Sequence, residues 1–336
     1  MKSGRPATAT SIATVSNPAS PGRAPVPAIS VEVPAKINVY LGVGAVGADG
    51  FHPLQTVFQT VGRRDRVIVD RLDPAPYGAT GPVVAVSGPE AGGVPTDATN
   101  LAWRAAELLA AETGRPEIVH GLRIRIDKQI PAAGGLAGGS ADAAATLLAL
   151  NRTHRLGLGP DELARLAALL GSDVPFGLIG GTALGTGRGD RLEPVPCATL
   201  HWVLAVAPFG LSTPAVYAEL DRQREAGTAT PPVSGLPAVL AALAAGDPAV
   251  LGPLLGNDLQ PAALALAPSL ADTLAAGRDA GALGALVSGS GPTCAFLAAG
   301  ADHATEVAAA LADTPTVRRA LATSGPAGGP VLDGGH

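Results

Sequence analysis

The sequence predicts a folded chain that mixes strands and helices in one large or two medium domains, and three observations carry this reading. The chain has 336 residues, 47% of them hydrophobic, enough to enclose a sizeable core. Stretches with a period-two alternation of apolar and polar residues lie beside Ala- and Leu-rich stretches of helical character. Two prolines, Pro194 and Pro196, interrupt the pattern across Glu193–Cys197 and mark a boundary.

Composition excludes several functions. A formal net charge of -5 gives no basic field for nucleic acid. The apolar runs are broken by Gly, Pro or charge before they reach a membrane-spanning length of about 18 residues, so no membrane partner is expected. Cys197 and Cys294 stand far apart without metal-ligand spacing and read as small core residues in a reducing cytosol, which makes a cytoplasmic location the expectation. Residues 1–28, rich in Ala, Pro, Ser and Thr, read as a disordered extension, and 324–336 as a flexible tail.

In chain order, Ile29–Val33 and Lys36–Val43 read as two strands separated by Pro34 and Ala35, the second presenting Lys36, Asn38 and Tyr40 on one face. That face is either solvated or aims an ammonium and an amide into a cleft. Lysine occurs only at 2, 36 and 128, so an ordered Lys is informative here. A turn, Gly47–His52, sets Phe51 beside His52 and leads into a strand over Leu54–Val61. Val67–Asp70 and Val83–Val86 read as further strands. Asp97 or Thr99 can cap a helix from Asn100 to about Glu112, stopped by Gly114.

Leu122–Asp127 alternates as a half-buried strand, and Ser140 opens a helix after a loop in which Gly134, Gly135, Gly138 and Gly139 fall within six residues. Strand, glycine loop and helix N-terminus together present free N–H groups and a positive dipole end to one point, which suits a phosphate. Neither GxxxxGK[ST] nor GxGxxG is present, and in a chain with 44 glycines the loop could also be a hinge. A further helix starts at Gly159-Pro160 with acids in its first turn and ends near Gly171. Asp173 can cap a short helix with Pro175 in its first turn, act as a catalytic carboxylate, or do both.

Past the boundary, Trp202–Ala207 reads as a buried strand. Thr213–Arg224, carrying Tyr217, reads as a helix, as do Leu236–Ala245, Ala265–Gly277 and Asp302–Ala312, with Asn257–Gln260 polar enough to start one. Strands at Ala285–Ser288 and Cys294–Leu297 flank a second glycine loop, Gly289–Thr293, and Thr316–Thr323 reads as an edge strand.

Three blocks, PAKINVYLGV with GADGFHPLQTVFQ (34–59), IPAAGGLAGGSADAA (130–144) with GSDVPF (171–176), and SGSGPTCAF (288–296), together resemble the GHMP small-molecule kinases from about Ile29 to Thr323. PAKINVYL with DGFH is the most specific. It points to the branch that acts on a cytidine diphosphate-linked methylerythritol in non-mevalonate isoprenoid synthesis, and away from mevalonate, homoserine and galactose kinases.

The resemblance implies an α+β architecture of two domains, 29–195 and 198–323, with the site in the cleft between them, and a monomer or weak homodimer. It implies ATP-dependent phosphorylation of the 2-hydroxyl of that small-molecule substrate, with Mg2+. Asp173 would be the general base, and Lys36 would hold the hydroxyl and γ-phosphate in line. Pro131, Ala132, Ala133, Gly134, Gly135, Leu136, Ala137, Gly138, Gly139, Ser140 and Ala141 would cradle the ATP phosphates, with Ser140 a candidate Mg2+ contact.

Asn38 and His52 would hydrogen-bond the cytosine, Phe51 would lie below its ring and Tyr217 above it, and Gly289, Ser290, Gly291 and Thr293 would close the site from the second domain, touching the phosphates or diphosphate. Asp258 is expected to help position that region. The family's loop runs nearer to PxGGGLGGGSS, so Ala133, Ala137 and Ala141 depart from it. An alanine costs little where φ is negative and more where it is positive. Those alanines leave open a silent nucleotide-binding regulator on the same scaffold, and a kinase for another small alcohol is the third reading.

Overall fold

The computed structural model of the chain describes residues 28–72, 81–132 and 134–333. The extension 1–28 therefore lies outside the described residues except for Ala28. The first half contributes β1 (Ile29–Val43), β2 (Leu54–Arg71), β3 (Val83–Ser87), α1 (Leu101–Glu112) and β4 (Leu122–Asp127). It continues through α2 (Gly138–Thr153), α3 (Pro160–Leu170), α4 (Val174–Ile179), β5 (Thr182–Thr186) and β6 (Arg191–Pro194). The second half runs β7 (Leu200–Val206), α5 (Thr213–Glu225), α6 (Leu236–Ala245), α7 (Pro248–Leu251), β8 (Gly256–Asn257), α8 (Gln260–Leu266) and α9 (Ser269–Asp279). It closes with β9 (Gly284–Val287), β10 (Cys294–Ala298), α10 (Ala301–Ala312), β11 (Arg319–Gly325) and β12 (Val331–Asp333).

These form two sheets. One runs β12-β1-β2-β4-β3, with β5 and β6 joined through β2 and β8 through β1; the other runs β11-β7-β10-β9. Among the described residues no helix is long and apolar enough to cross a membrane.

The two strands expected around Pro34 are one. Pro34 pairs with Arg64 and Ala35 with Val61, so the chain bulges there without parting, and a residue with no N–H to give the ladder sits where the ladder is already irregular. The two strands expected over Leu54–Asp70 merge for the same reason. A second register shift between Asn38 and Tyr40 leaves Val39 extra and reverses the side-chain parity. Tyr40 therefore does not share the face of Lys36 and Asn38: it packs in the core, and its hydroxyl donates to the Val233 carbonyl at 3.0 Å.

Other expectations also shift. The cap of α1 is Asn100, whose side chain accepts from Ala102 N–H at 2.8 Å, while Asp97 accepts from the backbone and hydroxyl of Thr99. Helix α2 begins at Gly138, two residues before Ser140. The small-residue region after Gly180 forms the hairpin β5–β6 against β2. The helix expected over Ala265–Gly277 is two helices, α8 and α9, parted at Ala267-Pro268.

The tail is the largest correction. β11 runs past Thr323 to Gly325, and β12 pairs antiparallel with the edge of β1. Between them, the Arg64 guanidinium donates to the carbonyls of Ala327 and Gly329, and Ala327 N–H donates to Thr60 Oγ1 at 3.0 Å. A strand edge needs backbone partners and not particular side chains, so a Gly- and Pro-rich segment can supply them while looking like a tail.

The second sheet joins the halves. Along β7, Leu200, Trp202, Leu204 and Val206 face the core shared with the first sheet, whereas Val203 and Ala205 face the core under α5, α8, α9 and α10. Both faces are buried, which is why the strand reads as a continuous apolar run. Trp202 Nε1 donates to Gln59 Oε1 at 2.7 Å, and Gln59 Nε2 reaches Thr182 Oγ1 and the Cys197 sulfur. Cys197 is thus half-buried at this seam, and Cys294 lies in the core.

Candidate active site

A cleft of ≈ 880 Å³ is lined from both halves, by β1, the turn after it, the glycine loop before α2, the start of α4, α5 and the loop between β9 and β10. Gly134, Gly135, Ala137, Gly138, Gly139 and Ser140 of the phosphate-loop candidate line it. Pro131 and Ala141 are buried and Ala132 is exposed. Leu136 is wholly buried, and its carbonyl accepts from Lys36 N–H at 3.2 Å. Ala133 lies outside the described residues. The loop ends on the first turn of α2, whose N–H groups have no partner within the helix and are available to an anion.

Two of the alanines now have a physical reading. Ala141 packs in the core and does not line the cleft, so a hydroxyl missing there removes no cleft contact. Ala137 sits at φ 55, ψ 31, the left-handed region, where a β-carbon costs about 1–2 kcal/mol. Ala137→Gly should therefore raise stability by about 0.5–1 kcal/mol, allowing for the entropy of glycine, with turnover retained. Thermal unfolding and steady-state rates check this, and an unchanged or lowered midpoint would count against strain at 137.

Lys36 and Asp173, far apart in sequence, meet in the cleft: Lys36 Nζ is 3.3 Å from Asp173 Oδ2. The ammonium is also 2.7 Å from Asn38 Oδ1 and 5.1 Å from the Phe58 ring centroid. Asn38 Nδ2 in turn donates to Thr56 Oγ1 at 2.8 Å, so the amide is fixed with its oxygen towards the lysine. Asp173 precedes α4 in the capping position, yet its side chain makes no capping bond. It is directed at Lys36 instead, and about a third of it remains open to the cleft.

At the other end, His52 and Tyr217 line the cleft with ring centroids 5.1 Å apart. His52 Nδ1 is 2.9 Å from the Gly44 carbonyl and Nε2 3.2 Å from Asp221 Oδ2, so both ring nitrogens face acceptors. Burial pushes the Tyr217 phenol up to about 12, with the Asp173 charge adding, so it stays protonated and serves as a donor and stacking face. Phe51 is half-exposed, with the Arg188 guanidinium 4.1 Å from its ring centroid.

The second glycine loop closes the cleft from the other half. Gly289, Ser290 and Gly291 line it; Thr293 does not, because its backbone N–H donates to the Gly134 carbonyl at 3.2 Å from behind the phosphate loop. Asn257 Nδ2 holds the carbonyls of Val287 and Gly289, each at 2.7 Å. Asp258, expected to help position this loop, accepts instead from Val43 and Val233 N–H, each at 2.7 Å, and so ties the end of β1 to the segment before α6.

Sequence reasoning missed several of these residues, among them Asp221, Arg188, Asn257 and a buried group beneath the phosphate loop. There Lys128 Nζ pairs with Asp65 and with Asp142 Oδ2, the latter at 2.6 Å, and a β-carbon on Gly138 would lie 2.9 Å from that nitrogen. The scarcity of lysine was the one signal pointing there. Burial alone would depress Lys128, but the two carboxylates outweigh it and raise its pKa.

Burial pushes Asp142 from its ordinary 3.8 up to about 7, against the pull of Lys128 and with the charge of Asp65 adding; its Oδ1 has no partner. A raised carboxyl contributes stability that is fully present below about pH 4 and lost as pH rises through about 7. Asp142→Asn, which does not titrate, should therefore gain on the natural chain between those limits by at least about 1 kcal/mol, roughly 2–4 °C in midpoint. Melting curves at pH 5 and pH 8 read this; a constant difference would show that Asp142 does not titrate in that window. Among the described residues no group of three or more His, Cys, Asp or Glu could hold a metal ion.

Comparison with known proteins gives consistent matches. The sequence matches the GHMP kinases N terminal domain over residues 100–181 and the GHMP kinases C terminal family over 239–315. The 4-diphosphocytidyl-2-C-methyl-D-erythritol kinase of Nocardia farcinica is 57% identical over 303 residues, 90% of this chain and 95% of that protein. A crystal structure of 4-(cytidine 5'-diphospho)-2C-methyl-D-erythritol kinase is 33% identical with a TM-score of 0.68, covering 91% of this chain and all of that one. The mevalonate kinase of L. major, solved with R-mevalonate, has a TM-score of 0.68 at 17% identity, covering 87% and 94%, which is a likeness of fold alone.

Proposed function

This chain belongs to the 4-diphosphocytidyl-2-C-methyl-D-erythritol kinases within the GHMP kinases, and on that premise we propose how its cleft phosphorylates their substrate. The reaction moves the γ-phosphoryl group of ATP to the 2-hydroxyl of 4-diphosphocytidyl-2-C-methyl-D-erythritol, giving the 2-phosphate and ADP in non-mevalonate isoprenoid precursor synthesis. The observation that carries the proposal is the meeting of Lys36 and Asp173 beside the glycine loop.

Asp173, open to the cleft, accepts the proton of the 2-hydroxyl as its oxygen attacks, a contribution of about 10²- to 10⁴-fold. Lys36, held by Asn38 and by Leu136 of the phosphate loop, keeps the hydroxyl in line and offsets charge on the moving group. Loop and α2 N–H groups hold the phosphates of ATP. Mg2+, which keeps most of its waters and takes phosphate oxygens readily, needs few protein ligands, and the Ser140 hydroxyl is the one we assign. Phe51 and Tyr217 are assigned to the faces of the cytosine. Asn38 and His52, expected at its edge, instead have their side-chain polar atoms engaged with Lys36 and Thr56 and with Gly44 and Asp221, so no edge contact is assigned to them.

We take 29–195 and 198–323 as the two domains, a division supported by the change of sheet between β6 and β7, although β8 and β12 return to the first sheet. The test is turnover by the purified chain: with ATP and the cytidyl substrate it should release one ADP per 2-phosphate formed, and with mevalonate or homoserine none. Equal turnover of an alcohol lacking the cytidine moiety, or ATP binding without turnover, would overturn the proposal.

A further inference from the structure

Five basic or acidic side chains line the cleft, and four of them face a partner: Lys36 with Asp173 and His52 with Asp221. Arg188 makes none of the ion pairs found among the described residues. Its Nε is buried without a hydrogen-bond partner, although a buried N–H that lacks an acceptor is unfavourable.

The residue is firmly placed. It tops the turn between β5 and β6, flanked by Gly187 at φ 67 and Gly189 at φ 94, which only glycine adopts without strain. Its own N–H donates to Asp190 Oδ1 at 3.0 Å, Gly189 N–H to the Thr186 carbonyl at 3.0 Å, and Leu54 N–H to the Gly187 carbonyl at 2.7 Å, which anchors the turn to β2. The guanidinium carbon lies 4.1 Å from the Phe51 ring centroid. Such a stack uses the π face of the guanidinium and leaves its in-plane N–H donors free.

We infer that Arg188 binds the diphosphate of the nucleotide-linked substrate, a contact that rests on the kinase reading above. A planar cation with a fork of donors and no carboxylate of its own matches a phosphate in charge and shape better than it matches a neutral pyrimidine edge. The other cation of the cleft that could serve, Lys36, is committed to Asp173 at the reaction centre. The Phe51 stack holds the guanidinium in place before substrate arrives, so less side-chain freedom is lost on binding.

The test compares Arg188→Gln and Arg188→Lys with the natural full-length chain, using CDP and cytidine as probes in calorimetry and the cytidyl substrate in turnover. Arg188→Gln should weaken CDP by about 10- to 100-fold, the range of a charge-assisted contact, and cytidine by less than about 2-fold. KM for the cytidyl substrate should rise in step with CDP while kcat and KM for ATP stay within about 2-fold, and Arg188→Lys should recover part of the loss. An equal loss for CDP and cytidine would assign Arg188 to the base or to local structure and overturn the inference; so would no loss for either. If the natural chain fails to turn over the cytidyl substrate, the kinase reading fails, yet the CDP and cytidine comparison still decides the role of Arg188.

Discussion

Asp173→Asn is expected to lower kcat by about 10³-fold, within the 10²- to 10⁴-fold range of a general base, while binding of ATP and of the cytidyl substrate stays within a few-fold. The substitution keeps the shape of the side chain and removes its charge and its capacity to take a proton. It should be tolerated structurally, because the carboxylate makes no capping bond to α4 that could be lost, and about a third of it is already open to the cleft. Lys36 loses an ion pair but keeps Asn38 Oδ1 at 2.7 Å and its seat over Phe58, so the ammonium should stay in place. The measurements are ADP release in a coupled assay, calorimetric affinities and a melting curve. Residual activity above about a tenth of the natural rate would mean that the proton leaves by another route. A silent nucleotide-binding regulator predicts a different result, with no turnover in the natural chain for Asp173→Asn to abolish.

Much of this site was legible in the sequence, and the reason differs by residue. Lys36 and Asp173 could be singled out because one is a rare lysine on an alternating strand and the other a carboxylate at a small-residue helix start, but only the fold could bring them to 3.3 Å. The phosphate loop was legible because strand, glycines and helix are contiguous. Tyr40 was misplaced because a one-residue bulge at Val39 reverses parity, and nothing in an alternating pattern announces a bulge.

Asp65, Lys128 and Asp142 were missed for another reason: their group is assembled from β2, the loop after β4, and α2, with no local spacing to betray it. Arg188 and Asp221 likewise acquire meaning only through partners, or the lack of them, across the cleft. Thr293 illustrates the opposite error. It sits within a motif that borders the cleft, yet its place in the strand-to-strand turn sets it behind the loop.

The contact between the two glycine loops leads to the second large effect, that of Gly135→Ala. Gly135 has φ 74, and a β-carbon there would lie 2.2 Å from the Ser288 carbonyl oxygen and 3.2 Å from the backbone of Gly291. The opposing atoms are backbone, which no rotamer change can move, and the Ser288 hydroxyl and Thr293 N–H already bond the carbonyls of Gly135 and Gly134. Strain at positive φ and the clash together should cost on the order of 2–4 kcal/mol.

The loops would then have to part, and a displacement of about 1 Å at a reacting group lowers the rate by about 10²-fold. Gly135→Ala should therefore melt earlier and lose about 10²-fold in kcat/KM. The control is Gly139→Ala in the first turn of α2, where the nearest heavy atom to a new β-carbon is Leu101 Cδ1 at 3.7 Å, an ordinary contact. It should fold as well as the natural chain, since alanine is the better helix former. Because Gly139 lines the cleft, any loss confined to ATP affinity in that variant would locate the phosphates against its backbone. A Gly135→Ala chain with natural stability and kinetics would mean that the two loops do not press together, and the closing of the cleft from its second half would have to be abandoned.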